Sequence, residues 1–397
     1  MFLRHFPPMG IYETLFRFAD ATQAYLGDAG THPWAQGYPL TRQLPGGPSI
    51  PASVSFGPDD LRYPNASGQI ELREALVRYY RTFYGANLTE ENIAVFAGGR
   101  PGIMAILALL EEDIEITIEE TEYTPYHDSL RLIGRAPEVV PSNPENRFRP
   151  TLEDHARALD SAERALLVKS NPCNPTGVTW SGDSLRALVE LASRPGKGAL
   201  IDEAYEFFHT PEPDSALRYI EDIDRTDIFV VGAATKGLQV PGARIGWVVA
   251  SKEHCELFRN LSSIAMGGVS RLSQLLVTSL LEIDRVGEAR RAVGAFFASQ
   301  RERYGNALTE LGFELFTGEG GFYHWGRIPG GMTAHELNDR LFRHDAAILP
   351  GRLCDMDRRE QGPHETLMRF SFGPIPAEDF EGDVEILRTC LTGVGAR

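Results

Sequence analysis

Two hydrophobic rhythms alternate along the chain from about residue 70. In IELREALVRYYRTFYG, residues 70–85, apolar side chains recur every three or four positions, which predicts a helix. IAVFAGG, residues 93–99, is a short apolar run ending in glycines and reads as a buried strand. The alternation continues with PGIMAILALLEE as helix, IEITIEE as strand, YHDSLRLIG as helix and APEVVPS as a short strand. ALLVKSNP then reads as strand into loop, DSLRALVELASR as helix, and GALIDEAY and DIFVVGAAT as strands. Strands and helices in this order predict an α/β fold: a mostly parallel sheet with helices on both faces, three layers in all.

The ends of the chain keep a different rhythm. Residues 1–60 are rich in proline and glycine around one amphipathic piece, YETLFRFADATQAYL. After about residue 305, GGFYHWGRI, AAILPG and TLMRFSFG are short strands separated by helices, which predicts a smaller α+β domain. The expected division is a large domain over 61–300, a small domain over 301–397, and a segment 1–60 that joins the small domain.

Ligands of a parallel sheet bind at the carboxyl ends of its strands, so the residues just after each strand carry the chemistry. Gly98 and Gly99 precede a helix expected to begin near Pro101; its free N–H groups and Arg100 suit an anion, although read alone this is an ordinary tight turn. SNPCNPTG, residues 170–177, has two Asn-Pro pairs that stiffen a loop able to hold an asparagine amide against a ligand. Asp202 ends an apolar strand, as a cation partner, a backbone acceptor or a helix cap, and Tyr205 follows it. Lys236 lies just past DIFVVGAA; near a buried site a lysine can act as a nucleophile, and elsewhere it is a solvated loop residue. Arg369 sits inside an apolar strand, either to grip a carboxylate or to snorkel from a sheet edge.

Bulk composition narrows the partners. The net charge of −16 argues against nucleic acid and anionic membranes while leaving room for a small anion in a local basic pocket. No run approaches the roughly 18 apolar residues of a membrane span. MFLRHFPPMG lacks the apolar core of a secretory signal. Cys173, Cys255, Cys354 and Cys390 show no metal-ligand spacing and are expected to be reduced thiols of a cytoplasmic protein.

Seven motifs in fixed order, YPNASG, GGRPG, EYTPY, SNPCNPTG, IDEAY, TKGLQVPGARIGW and MRFSFG, span Tyr63 to the strand of Arg369. The chain thereby resembles the fold type I pyridoxal 5′-phosphate (PLP) enzymes, specifically the class I and II aminotransferases. The resemblance implies a PLP-dependent transfer of an amino group between an L-amino acid and a 2-oxo acid. It implies a Schiff base between Lys236 and the cofactor aldehyde, the freed amine then shuttling a proton. Asp202 would pair with the pyridinium nitrogen, Asn174 and Tyr205 would hydrogen-bond the ring oxygen, and Tyr123 would stack on the ring. Gly99, Arg100 and Arg244 would hold the phosphate, and Thr235 would contact the cofactor. Tyr63 matches a tyrosine that reaches the phosphate of the partner subunit, implying a homodimer with its active site at the interface. Arg369 would clamp the substrate α-carboxylate, while Asn174 also faces substrate. No metal is expected.

Two positions depart from the family pattern. Ala233 stands where many members carry a serine that binds phosphate, and Arg100 where many carry a small or hydroxyl residue. Arg100 is therefore expected to compensate, a charged hydrogen bond replacing a neutral one. Cys173 has no role here beyond filling space. QLPGGPSIP is atypical of the segment that meets substrate, and Arg42 and Arg271 are candidates for a distal substrate carboxylate. A lyase, decarboxylase or oxidase on the same scaffold is the competing activity. A non-catalytic sensor module is opposed by the intact lysine and by the absence of a basic DNA-binding extension.

Overall fold

The computed structural model describes residues 2, 3, 5, 6, 8–359 and 362–392. The strands are β1 Ile93–Phe96, β2 Glu115–Glu119, β3 Glu138–Val140, β4 Ala165–Ser170, β5 Lys197–Asp202, β6 Asp227–Ala233 and β7 Gly246–Val249, then β8 Glu314–Leu315, β9 Tyr323–Arg327, β10 Leu349–Pro350 and β11 Leu367–Ser371. The helices are α1 Gly10–Thr22, α2 Ile70–Tyr84, α3 Gly99–Leu109, α4 Thr124–Ile133, α5 Leu152–Leu159 and α6 Gly182–Ala192, followed by α7 Lys252–Ala265, α8 Arg271–Leu280, α9 Ile283–Glu310, α10 Ala334–Leu341 and α11 Phe380–Thr392.

The larger sheet has the order β1-β7-β6-β5-β4-β2-β3 and is parallel except for β7, which runs antiparallel to both neighbours. Its strands are apolar on both faces because both are covered. Leu166 and Val168 pack with Ile103, Tyr126 and Phe258 of α3, α4 and α7. Leu167, between them in β4, packs on the opposite side with Leu72, Leu185 and Val286 of α2, α6 and α9. The three-layer α/β expectation is met. The strand β7 and the helix α5 did not stand out in the sequence. IGWVV directly follows a glycine- and proline-bearing bend, so its four strand residues blend into the loop that precedes them.

The second sheet, β10-β11-β9-β8, is antiparallel. Phe18 of α1 and Ala35 join Phe342, Leu349 and Leu367 in one apolar cluster, so the N-terminal segment packs on this sheet. Helix α9 runs unbroken through residue 300 and touches both sheets' surroundings.

A buried polar knot ties α9 to the loop after β5. Arg290 Nη1 donates to Glu206 Oε1 at 2.6 Å and to the hydroxyls of Tyr79 and Tyr84 at 2.5 and 2.7 Å. Both tyrosine hydroxyls also donate to Glu206. Removing one partner of a buried ion pair strands the other charge. Arg290→Ala is therefore expected to destabilise the protein by about 3–5 kcal/mol, read as a lower urea midpoint at unchanged slope.

Candidate active site

The carboxyl ends of β1, β4, β5 and β6 converge with β11 on two adjoining cavities, of about 240 and 70 Å³. Arg100, Tyr123, Asn174, Tyr205, Thr235, Lys236 and Arg244 line both. Gly99 and Asp202 line the smaller one, and Arg369 the larger. Tyr63, 94% exposed on the protomer surface, lies elsewhere, as do Arg42 and Arg271.

Helix α3 starts at Gly99, two residues before the expected Pro101, and its N-cap Gly98 offers no side-chain acceptor. Its first N–H groups thus keep their capacity for an anion. Gly98 has φ +107°, and a Cβ there would come within 2.6 Å of Arg244 Nη2. Glycine is required both by the backbone and by the guanidinium lying over it. Arg244 adopts the left-handed region, φ 55° and ψ 49°, after the bend at Pro241–Ala243. Its Nη1 and Nη2 donate to the carbonyls of Pro241 and Ala97, fixing the head beside the helix start. Ala233 faces the same corner: a Cβ on Gly99 would lie 3.7 Å from its methyl.

Asp202 is buried and forms no ion pair among the described residues. Oδ1 accepts from the Ala204 N–H at 3.0 Å and Oδ2 from the Tyr126 hydroxyl at 3.1 Å. Burial raises its pKa above the usual carboxylate value. It does not cap the short helical turn at Glu206–Phe208, whose N-cap is Tyr205.

Lys236 Nζ donates to the Gly37 carbonyl. Burial, then the nearby charges of Arg369 and Arg100, bring its pKa down to about 7. The chain has four lysines. Lys169 is paired with Glu119, Lys197 donates to three backbone carbonyls and Lys252 faces Glu91 and Asp224, so Lys236 alone brings an amine to the cavity.

Arg369 is 3% exposed in β11, which lies between β10 and β9, so it is not a snorkelling edge residue. Nη1 donates to Asn174 Oδ1 at 2.9 Å and Nη2 to the Ala35 carbonyl at 2.7 Å, while Nε is buried without a partner. Its guanidinium lies 4.2 Å from the Tyr323 ring centre. Asn171 spends its amide on Trp180, closing the loop on itself and leaving Asn174 to face the cavity.

A family model, aminotransferase class I and II, matches residues 49–379. The chain belongs to the class I and II aminotransferases.

Relatives agree over most of the length. An aspartate aminotransferase of Pyrococcus horikoshii is 25% identical over 298 residues, 72% of this chain and 74% of that protein. An aspartate/prephenate aminotransferase of Thermus thermophilus is 29% identical over 300 residues, 73% and 75% of the two chains. An arginine–pyruvate transaminase of Pseudomonas aeruginosa is 26% identical over 363 residues, 84% and 90%. The solved aspartate aminotransferase of Thermotoga maritima shares the fold with a TM-score of 0.79 at 20% identity, covering 97% of this chain and 98% of that one.

The aminotransferase is a PLP enzyme, and its cavity suits that cofactor. It offers an amine that is half neutral near pH 7, a buried carboxylate with no cation of its own, and an uncapped helix start flanked by two arginines.

Three contributors escaped the sequence reading. Tyr126 holds Asp202, Tyr323 exchanges a hydrogen bond with the Tyr205 hydroxyl, and Gly37 receives Lys236. A Cβ on Gly37 would lie 2.7 Å from the Tyr323 hydroxyl. Tyr126 stands in EYTPY and could have been suspected; Gly37 and Tyr323 belong to segments with no strand-end signature.

The lysine pKa sets a pH dependence. Below about 7 the amine is protonated and cannot attack a carbonyl; above it the nucleophile is free. Uptake of PLP by the apoprotein is expected to accelerate from pH 6 to 8 with a midpoint near about 7, followed by stopped-flow absorbance.

Proposed function

We propose that the enzyme moves an amino group between an L-amino acid and a 2-oxo acid, with Lys236 as nucleophile and proton carrier. The observation that carries this is one cavity wall holding the lowered-pKa amine of Lys236 together with Arg369 and Asn174. When bound, PLP supplies an aldehyde carbon and a ring able to accept electrons from the substrate Cα. Gly99, Arg100 and Arg244 would hold its phosphate, Thr235 would contact it, and Tyr123 would cover a ring face. Asn174 and Tyr205 would offer polar groups to the ring oxygen, and Asp202 would favour positive charge on the ring nitrogen. Arg369 grips the α-carboxylate, whose orientation presents the Cα–H bond to Lys236. Lys236 Nζ, the amine of this cavity, would supply the nucleophile for the cofactor aldehyde and, when free, the base that moves the Cα proton.

Arg42 and Arg271 have other partners: Arg42 pairs with Glu378 and Arg271 with Asp60, and neither lines the cavities. A distal substrate carboxylate therefore has no grip from them in this protomer.

The enzyme works as a homodimer in this reading, with Tyr63 reaching the partner's phosphate. Leu61, Tyr63, Ile264 and Met266 are exposed, and Gly268 approaches Pro64, so these apolar groups border one region. Sedimentation at protomer mass would remove this part. The 61–300 and 301–397 division, with residues 1–60 joining the small domain, is retained. Among the described residues no helix is long and apolar enough to cross a membrane. The four buried free cysteines support a reducing, cytoplasmic location, tested by thiol labelling of the unfolded protein from cell lysate.

The reading is tested by an amino-donor screen on the holoenzyme. The cofactor absorbance should fall with a donor and return on adding a 2-oxo acid; net ammonia release instead would overturn it. A second experiment addresses the missing hydroxyl at Ala233. Arg100→Ala and Arg244→Ala are each expected to weaken PLP binding about tenfold or more, measured by cofactor fluorescence. Unchanged affinity in Arg100→Ala beside a loss in Arg244→Ala would remove the compensating role of Arg100.

A further inference from the structure

Glu122, one residue before Tyr123, is completely buried. Among the described residues it takes part in no ion pair; the adjacent Lys169 ammonium is paired with Glu119, which His155 also approaches at 3.2 Å. Burying an acid costs free energy, so its partners are informative.

The β2–β4 ladder ends at the pair Ile118–Val168. Beyond it the Asn171 N–H donates towards β5, to the Asp202 carbonyl at 2.9 Å, and so the Ser170 N–H points the other way, to β2. The Glu122 side chain replaces the lost ladder. Its Oε1 accepts from the Ser170 N–H at 2.9 Å. Its Oε2 accepts from the Ser170 hydroxyl at 2.6 Å and from the Tyr123 N–H at 2.8 Å. Ser170 Oγ in turn accepts from the Asn174 N–H at 3.0 Å, and Asn174 Oδ1 accepts from Arg369 Nη1 at 2.9 Å. A continuous hydrogen-bonded path thus runs from the buried Glu122 carboxyl group to the guanidinium in the cavity, with Tyr123 on its other branch.

We propose that Glu122 is a positioning residue which, through Ser170 and Asn174, sets the aim of Arg369 towards the carboxylate of the bound amino acid. The proposal rests on the reading of Arg369 as the carboxylate grip. Glu122 acts where the strands diverge to admit ligands, because there the backbone can no longer hold its own register. Phosphate-binding groups on α3 lie outside the path.

The test uses the holoenzyme and the deamino analogue of its best donor, for example succinate for aspartate or hydrocinnamate for phenylalanine. Glu122→Ala and Ser170→Ala are each expected to raise the analogue's Kd and the donor KM about tenfold, a larger change than in PLP affinity, because Gly99 and Arg244 hold the phosphate outside the path. Glu122→Gln keeps one acceptor and should fall between them and the parent. Ser170→Ala and Glu122→Gln decide the matter should Glu122→Ala not fold. Parent-like Kd in both, beside a large loss in Arg369→Ala, overturns the proposal and leaves the grip standing. An unchanged Kd in Arg369→Ala overturns the grip itself and this inference with it.

Discussion

Lys236→Met is expected to lower transaminase turnover by about 10⁴-fold while the protein still folds and still binds PLP non-covalently. No other lysine can take its place, since Lys169, Lys197 and Lys252 are held elsewhere by Glu119, by backbone carbonyls and by surface acids. The substitution removes both the nucleophile and the group that carries the proton, so the two losses fall on one residue and compound. Stability should move the other way. A lysine whose folded pKa lies at about 7, below its unfolded value near 10.5, weakens the fold as pH drops beneath that unfolded value. The Lys236→Met apoprotein should accordingly melt at or above the parent at pH 7, compared by scanning calorimetry. Turnover within about tenfold of the parent would sink every enzymatic role assigned to this residue.

Asp202→Asn carries the second large effect, a fall in kcat of about 10²–10³-fold. Asparagine has nearly the same shape, and its oxygen can still accept from the Ala204 N–H as Asp202 Oδ1 does. What disappears is a negative charge in a buried place, where it acts strongly on a cationic ring nitrogen. Burial alone lifts the pKa of Asp202, and a cationic partner would lower it again, so cofactor and carboxylate each favour the other's charged form. The donor KM should stay within about threefold, because the substrate grip proposed for Arg369 comes from a different element. A parent-like kcat in steady-state assays would show that the ring nitrogen needs no anion from Asp202.

Much of the site was legible because a parallel sheet delivers its strand ends to one edge. Asp202, Lys236 and the glycines before α3 each follow a short apolar run, and local pattern was enough to mark them. Arg369 was ambiguous for a definite reason. An arginine in a strand reads the same whether the strand is central or at an edge, and only the order β10-β11-β9-β8 places it between neighbours. Tyr323 and Gly37 were not legible, since each becomes important through contacts with residues far away in the chain, Tyr205 and Lys236. Strand β7 was missed because its four residues follow a bend and pair antiparallel with strands on either side, which no local periodicity announces.

The sequence by itself determined the alternation of elements, the family motifs and the residue types at the strand ends, because these depend on spacing along one chain. Tertiary structure decided the charge states and the aim. Lys236 has a pKa of about 7 only because burial and three arginines act on it, and Asp202 a raised one because it is buried. Arg369 joins Asn174, Ser170 and Glu122 in one hydrogen-bonded path only because the ends of β2 and β4 meet β11 in space. Desolvation and hydrogen-bond direction arise from neighbours in space, and they exist only once the sheet has closed.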